Sequence, residues 1–215
     1  MPDTEPTPQQ IPSTGEVWYV SYGSNMAAER LACYIEGGRP PGGVRANPGA
    51  RDARLPARSV PVQLPGALYF AGASPQWGGG VAFYDHDSPG PTPARAYLVT
   101  VAQLADIAAQ EMYRVPDPDD PREEVLVGGL TEGRHEAGPG HYETLVQVGE
   151  HDGLPMLTFT APHGLDHVTH TEPSAAYLEM LSVGLREAHR WSKEQIDDYF
   201  GRVISGAGQG RPSAR

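Results

Sequence analysis

The sequence has little of what several common classes of protein require. A single cysteine among 215 residues excludes a disulfide framework. No apolar run approaches the length of a membrane-spanning helix, and the first residues do not resemble a signal peptide. Lys and Arg number 16 against 27 Asp and Glu, and the resulting net charge of -11 argues against nonspecific nucleic-acid binding. We therefore expect a cytoplasmic protein with neither a nucleic-acid nor a membrane partner.

Several catalytic signatures are also missing. The sequence has no GxSxG elbow, no phosphate loop and no HExxH motif. Six of its eight histidines fall between His135 and His170, which raises a metal-dependent hydrolase as an alternative. However, the stretch that holds His163 and His167 is interrupted by Gly164, so a helix that presents two ligands is not favoured. The paired Asp and His signatures of zinc-dependent deacetylases are absent as well. We predict no metal site.

What is present indicates one domain. At 39% hydrophobic residues the chain can bury one sizeable core, and no change in composition divides it. We predict a single domain over residues 16–202 between two disordered tails, 1–15 and 203–215, which are polar and rich in Pro, Gly and Ser. Within the domain, residues 37–66 form a Gly/Pro/Arg-rich insertion. Residues 116–139 form a second long loop, whose length suits it to act as a lid.

The insertion at 37–66 is basic in an otherwise acidic chain. Its arginines face a single acidic residue in the same segment, Asp52: they are Arg39, Arg45, Arg51, Arg54 and Arg58. Such a cluster can meet an anionic substrate or partner, or it can dock on the acidic surface of its own domain. The second interpretation is the favoured one.

Periodic patterns predict the remaining elements. Alternating β-branched and aromatic residues predict strands at 17–21, 66–72, 79–85, 95–100, 143–148 and 155–160. Helical patterns predict helices at 26–36, 101–112, 173–188 and 192–200. The mixture of both kinds indicates an α+β protein.

One junction between these elements suggests an anion site. The first strand runs directly into Tyr22, Gly23, Ser24 and Asn25, which we call the YGSN turn, and a helix begins near Met26. Gly23 permits a tight bend, and Ser24 or Asn25 can cap the helix. Backbone N–H groups at such a junction favour a carboxylate or an oxyanion. An ordinary capped turn would show the same four residues.

Glu111 is the second candidate residue. It ends the helical segment 101–112, whose polar residues Gln103, Asp106 and Gln110 share one face. At about 100° per residue, Glu111 lies roughly 110° from that face and beside apolar residues. A carboxylate held against apolar surface loses hydration, and its proton affinity can rise into the range of a general base. A helix-end glutamate that reaches solvent is the alternative.

The order of three elements resembles a known family. These are the strand with its YGSN turn, the distant Glu111 and the amphipathic helix 173–188, and together they resemble the gamma-glutamylcyclotransferase-like family over residues 17–200. The resemblance implies an α+β fold in which a compact mixed β-barrel with flanking helices brings the YGSN turn and the glutamate into one pocket. Two features depart from the family pattern: the long insertion at 37–66, and Met112-Tyr113-Arg114 in place of the glycine common after that glutamate.

The resemblance also implies an activity. Such enzymes act on γ-glutamyl amines, amino acids or peptides: the α-amine of the substrate attacks its own γ-carbonyl, which forms 5-oxoproline and releases the amine without a cofactor. Carried over, Glu111 is the catalytic acid/base, and Tyr22, Gly23, Ser24 and Asn25 bind the substrate. The identity of the leaving amine stays open, as does the choice between a monomer and a weak homodimer. A non-catalytic module that binds carboxylate ligands on the same scaffold is the alternative function.

Overall fold

The computed structural model describes residues 15–206 as strands and helices that alternate along the chain. The strands are β1 Glu16–Ser21, β2 Ser59–Leu64, β3 Ala67–Ala71, β4 Val81–Asp85, β5 Thr92–Thr100, β6 Arg134–Glu136, β7 Thr144–His151 and β8 Leu154–Thr160. The helices are α1 Ala28–Ile35, α2 Val101–Glu111, α3 Pro121–Gly128, α4 Ala175–His189 and α5 Lys193–Ser205. Short 3₁₀ turns lie at Ser24–Met26, Thr131–Gly133 and Leu165–His167. Across these residues, no helix combines the length and apolar character that crossing a bilayer demands.

Six strands form one mixed sheet in the order β2-β5-β1-β8-β7-β6, while β3 and β4 form a separate pair. β1 runs antiparallel to β5 and parallel to β8. The predicted α+β class is confirmed. The strands do not close into one barrel, because the β3–β4 pair joins β8 through a side chain: the Thr160 hydroxyl accepts from the Tyr84 N–H at 3.1 Å and donates to the Tyr84 carbonyl at 2.8 Å.

The central strand β1 is buried on both faces. Val17 and Tyr19 belong to a core cluster shared with α1 and α2. Trp18 and Val20 point the other way, into a cluster shared with α4, α5 and the β3–β4 pair. Since side chains alternate along a strand, β1 separates two hydrophobic cores and is fixed on both sides. The YGSN turn that follows β1 therefore starts from a rigid position.

The predicted strands and helices are present, with differences at their ends. β2 was missed because Pro61 and the Gly/Pro-rich sequence before it read as a loop, and the strand lies at the edge of the sheet, where proline is tolerated. α5 continues to Ser205, past the predicted domain end at 202, because a capping box at Ser192 starts it and Gly206 ends it. Of the two predicted tails, the structure describes residue 15 in the first and residues 203–206 in the second. The rest of both tails lies outside the described residues.

The insertion at 37–66 docks on its own domain. Arg51 pairs with Asp106 at 2.8 Å and also with Glu123. The two other paired arginines of the segment have partners in the same chain: Arg54 pairs with Asp52, and Arg58 pairs with Asp152. The polar face of α2 thus binds the insertion instead of facing solvent.

The second predicted loop, 116–139, holds regular structure. Asp120 caps α3 with its side chain, Pro121 occupies the first helical position, and Leu126 is buried in the core beside α2. A segment packed in this way belongs to the folded domain. The prediction of a long irregular loop was wrong. The high Asp, Glu, Pro and Gly content of the segment indicated a loop, although part of it forms a helix with a side-chain cap.

Candidate active site

The YGSN turn follows β1 directly and opens onto a cavity. Tyr22 anchors it: its hydroxyl donates to the Phe159 carbonyl at 2.8 Å, and its ring lies 5.6 Å from that of Tyr84. Tyr22 also lines the cavity, and its hydroxyl is occupied by the bond to β8. The other three residues of the turn also line the cavity.

The predicted capping by Ser24 or Asn25 was wrong. A 3₁₀ turn intervenes, so α1 begins at Ala28 after Ala27, and neither cap position makes a side-chain cap. The N–H of Ala28 instead donates to the Glu187 carboxylate of α4 at 2.9 Å. A negative charge from a distant helix thus stabilises the start of α1.

Two hydrogen bonds close the backbone of the turn. Its two internal hydrogen bonds run from Met26 to the Gly23 carbonyl and from Ala27 to the Ser24 carbonyl, each 3.1 Å long. Neither bond uses the N–H of Ser24 or Asn25. The predicted use of this turn as an anion-binding element therefore fits its geometry, even though the helix cap differs.

The glycine that the packing around the YGSN turn requires is Gly184 on α4, not Gly23 in the turn itself. Gly23 has φ -107°, an ordinary extended value, and a Cβ there would meet only the Tyr177 hydroxyl at 3.6 Å. A Cβ on Gly184, in contrast, would lie 2.5 Å from Met26 Cβ and 2.9 Å from the Ala27 nitrogen. The absent side chain of Gly184 lets α4 pack directly against the YGSN turn.

Glu111, the last residue of α2, meets the turn inside the cavity. The Asn25 side-chain amide donates to Glu111 Oε1 at 2.9 Å, and the Tyr34 hydroxyl lies beside this carboxylate. Burial raises the pKa of Glu111 above its ordinary value of 4.5, while the charge of Arg30 and the polar contacts of Tyr34 and Asn25 lower it by less. A carboxylate with a raised pKa that faces a cavity is suited to proton transfer.

Arg30 completes the polar wall. Arg30 is 4% exposed, and its guanidinium donates to the Asn47 amide oxygen at 2.8 Å and to the Tyr34 hydroxyl at 2.7 Å. The Tyr34 hydroxyl also lies beside Glu111. A neutral tyrosine therefore neighbours both the buried cation and the candidate base.

The backbone just after Glu111 is strained. Tyr113 has φ 58°, in the left-handed region that glycine occupies at little cost. Its ring lies 4.5 Å below the Arg45 guanidinium, a contact that glycine could not make. The departure from the family pattern noted in the sequence thus places an aromatic side chain at the cavity wall.

The cavity has a volume of about 700 Å³ and is lined by residues from several separate segments of the chain. The insertion contributes Arg45, Ala46, Asn47 and Pro48 to its lining. Residues 116–139, all within the described part of the chain, do not line it, so the predicted lid is absent from this wall. Aromatic residues form much of the remainder: Tyr19, Tyr34, Trp77, Tyr113, Tyr142, Phe159 and Tyr177.

Sequence reasoning missed Arg30, Tyr34 and Asn47. The first two are four residues apart on α1, the spacing that places side chains on one helix face, and they follow the YGSN turn closely. That spacing was a usable signal. Asn47 gave none, because its position beside Arg30 depends on how the insertion folds back.

No protein-family model matches this chain. A plant protein named histone deacetylase 5, from Arabidopsis thaliana, is 30% identical in an alignment of 204 positions that covers 88% of this chain and 31% of the relative. The chain therefore spans about a third of the length of that curated relative. The function of this chain has to be inferred from the cavity.

Two solved structures resemble the chain in fold. One is an uncharacterized human protein with a TM-score of 0.48 and 16% identity, covering 94% of this chain and 92% of its own. The other is named gamma-glutamyl cyclotransferase, with a TM-score of 0.46 and 14% identity, covering 93% of this chain and 92% of its own.

Proposed function

We propose that this protein is a cofactor-independent cyclotransferase that converts a γ-glutamyl compound into 5-oxoproline and a free amine. One observation carries the proposal: the Asn25 amide of the YGSN turn is bonded at 2.9 Å to the Glu111 carboxylate inside a cavity of about 700 Å³. The YGSN turn and the Glu111 carboxylate with its raised pKa are therefore adjacent in a cavity large enough for a small molecule.

The reaction needs little more than these groups. Glu111 accepts a proton from the substrate's α-ammonium, and the freed nitrogen attacks the γ-carbonyl carbon of the same molecule. N–H groups of the turn stabilise either the substrate carboxylate or the oxyanion that forms on the carbonyl oxygen. Glu111 gives this proton to the leaving nitrogen as its bond to carbon breaks. Glu111 then takes the second proton from the nitrogen of the new ring and passes it to the released amine, which departs as an ammonium ion. No nucleophilic side chain is used.

The test is release of 5-oxoproline from a panel of γ-glutamyl amino acids, peptides and amines. Glu111→Gln preserves the shape of the side chain and removes the base, so we expect turnover to fall by about 10²-fold or more. Glu179→Gln is the matched control, because Glu179 lies on the exposed side of α4 and pairs with Arg186. Near-normal turnover in Glu111→Gln would contradict the assignment.

The alternative is a module that binds carboxylate ligands without turnover. It predicts that no member of the panel yields 5-oxoproline, while γ-glutamyl compounds still bind and Glu111→Gln still binds them. Calorimetric titration of the wild type and of this variant separates the two functions.

The name of the plant relative suggests deacetylation, which the described residues support less well. A zinc hydrolase needs three protein ligands around an open position. In residues 15–206 the one group of three ligand atoms within 4.8 Å is Asp85, His86 and Asp87. The Asp85 carboxylate already accepts bonds from the Ser88 hydroxyl and from two backbone N–H groups, and the three residues lie outside the cavity that holds Glu111.

A further inference from the structure

Two buried polar atoms in the cavity wall have no partner among the described residues. They are Arg30 Nε, a charged donor, and Asn25 Oδ1, an acceptor. Both residues line the cavity and are at least nine-tenths buried, with 4% and 2% exposure. A buried polar group without a partner destabilises the fold, and a buried charge does so more strongly. In residues that line a cavity, a bound ligand is one source of the missing partners.

The two atoms call for different partners. Arg30 Nε needs an acceptor, and a carboxylate is the group that matches a guanidinium in shape and charge. Asn25 Oδ1 needs a donor, and it belongs to the side chain whose nitrogen already holds Glu111. An ammonium group placed there would also meet the Glu111 carboxylate. A carboxylate and an ammonium on one carbon form the head group of an α-amino acid.

We propose that Arg30 anchors the α-carboxylate of the γ-glutamyl substrate, and that Asn25 Oδ1 orients its α-ammonium toward Glu111. This inference rests on the proposed function and sharpens it. With the α-carboxylate held by Arg30, the N–H groups of Ser24 and Asn25 bind the γ-carbonyl oxygen as it becomes an oxyanion. The substrate is then folded so that its own nitrogen faces the carbon that it attacks.

The two other arginines of the cavity are less suited to this role. Arg45 is exposed and stacks on Tyr113 at 4.5 Å. Arg114 is exposed and is already paired with the Glu143 carboxylate at 2.5 Å. Arg30 is buried, and its two side-chain hydrogen bonds go to uncharged groups, so its charge is the least compensated and the least screened by water.

The experiment compares two substrates that carry the same leaving amine. One is a γ-glutamyl amide, and the other is the 4-aminobutanoyl amide, which lacks only the α-carboxylate and would close to 2-pyrrolidinone. We expect the wild type to prefer the first by roughly 10- to 100-fold in kcat/KM, the size of a charge-assisted contact. Arg30→Gln should lower turnover of the first substrate and bring the two close to equality.

Two further variants control this result. Arg51→Gln removes an arginine that fastens the same insertion to α2 but does not line the cavity, so it should keep the preference. Arg30→Lys keeps the charge and should retain part of the preference. A preference that survives undiminished in Arg30→Gln would assign the carboxylate to the YGSN turn and overturn the inference.

Binding separates this inference from the proposed function. If the wild type turns over neither substrate, the cyclotransferase proposal fails, and calorimetric titration with 5-oxoproline and 2-pyrrolidinone still tests the anchor. Tighter binding of 5-oxoproline that is lost in Arg30→Gln would support Arg30 as a carboxylate site. Equal turnover of the two substrates, or equal binding of the two lactams, by the wild type would overturn it, and this comparison holds even if the Arg30 variants do not fold.

Discussion

Helix α2 carries two carboxylates five residues apart that meet very different surroundings. Asp106 receives the backbone N–H of Arg51 at 2.8 Å and its guanidinium Nε at 2.8 Å and 3.1 Å, so an arginine binds it directly. Glu111 accepts a hydrogen bond from the Asn25 amide and lies beside the Tyr34 hydroxyl. Among the described residues no arginine pairs with it, and the charge of Arg30 acts on it without direct contact.

The difference separates a structural carboxylate from one suited to chemistry. Burial raises the pKa of Asp106 as well, but the hydrogen bonds and the charge of Arg51 work against that rise and occupy both carboxylate oxygens. Neutral partners hold Glu111 in place while burial still raises its pKa. The same helix therefore fastens the insertion at its middle and presents a candidate base at its end.

The sharpest way to break this comparison is to neutralise each carboxylate in turn. Asp106→Asn should lower the free energy of unfolding by about 2 to 3 kcal/mol, because the buried carboxylate loses its charge-assisted bonds from Arg51, which keeps only Glu123, while most turnover remains. Glu111→Gln should do the opposite, with turnover lost and stability near that of the wild type. Denaturant unfolding and 5-oxoproline release, measured on both variants, provide the check.

Asp152→Asn is the matched control for the stability arm. Asp152 pairs with Arg58 on the surface, where both side chains are about half exposed. Exposed pairs contribute little, so we expect a change within about 1 kcal/mol. A loss in Asp152→Asn as large as that in Asp106→Asn would remove the distinction between the two carboxylates of α2.

A smaller effect is expected from Gly184→Ala, which disturbs only the Glu111 region. The new methyl group would press on Met26 and Ala27 and shift the YGSN turn. We therefore expect the free energy of unfolding to fall by about 2 kcal/mol and turnover to decrease. Gly201→Ala, on α5 with no atom within 4 Å of the new Cβ, should be neutral or slightly stabilising. Equal behaviour of the two variants in thermal unfolding would show that α4 does not set the turn.

The smallest effect concerns pH. Glu111 must be deprotonated to act as a base, so kcat/KM should rise with pH along an acidic limb that lies above 4.5. Because the charge of Arg30 lowers the pKa of Glu111, Arg30→Gln should move this limb to higher pH. Arg51→Gln should leave it in place. A limb that moves to lower pH in Arg30→Gln would show that Arg30 does not act on Glu111.

Local pattern was sufficient for part of this picture. The strand before Tyr22 and the helix that ends at Glu111 both follow from periodicity over a few residues, and the structure brings these two positions together. The cap of α1 could not be predicted, because its partner Glu187 is 159 residues away in sequence. Asn47 likewise reaches Arg30 only when the insertion folds back onto α1.

The other misses have a common physical origin. β2 and α3 lie in segments rich in residues that usually break regular structure, yet tertiary contacts hold both: β2 pairs with β5, and α3 buries Leu126. Composition describes the unfolded preference of a segment, whereas packing decides its final state. Asp120 followed by Pro121 was the local signal that could have revealed α3.

The bond between the Ala28 N–H and Glu187 has a consequence for the order of folding. α1 is short and has no side-chain cap of its own, so it is unstable until α4 has docked. Contacts this distant in sequence require the closure of a long loop, which is slow. The start of α1 therefore forms late in folding, and in the native state a local opening of α4 would release α1 and the YGSN turn together.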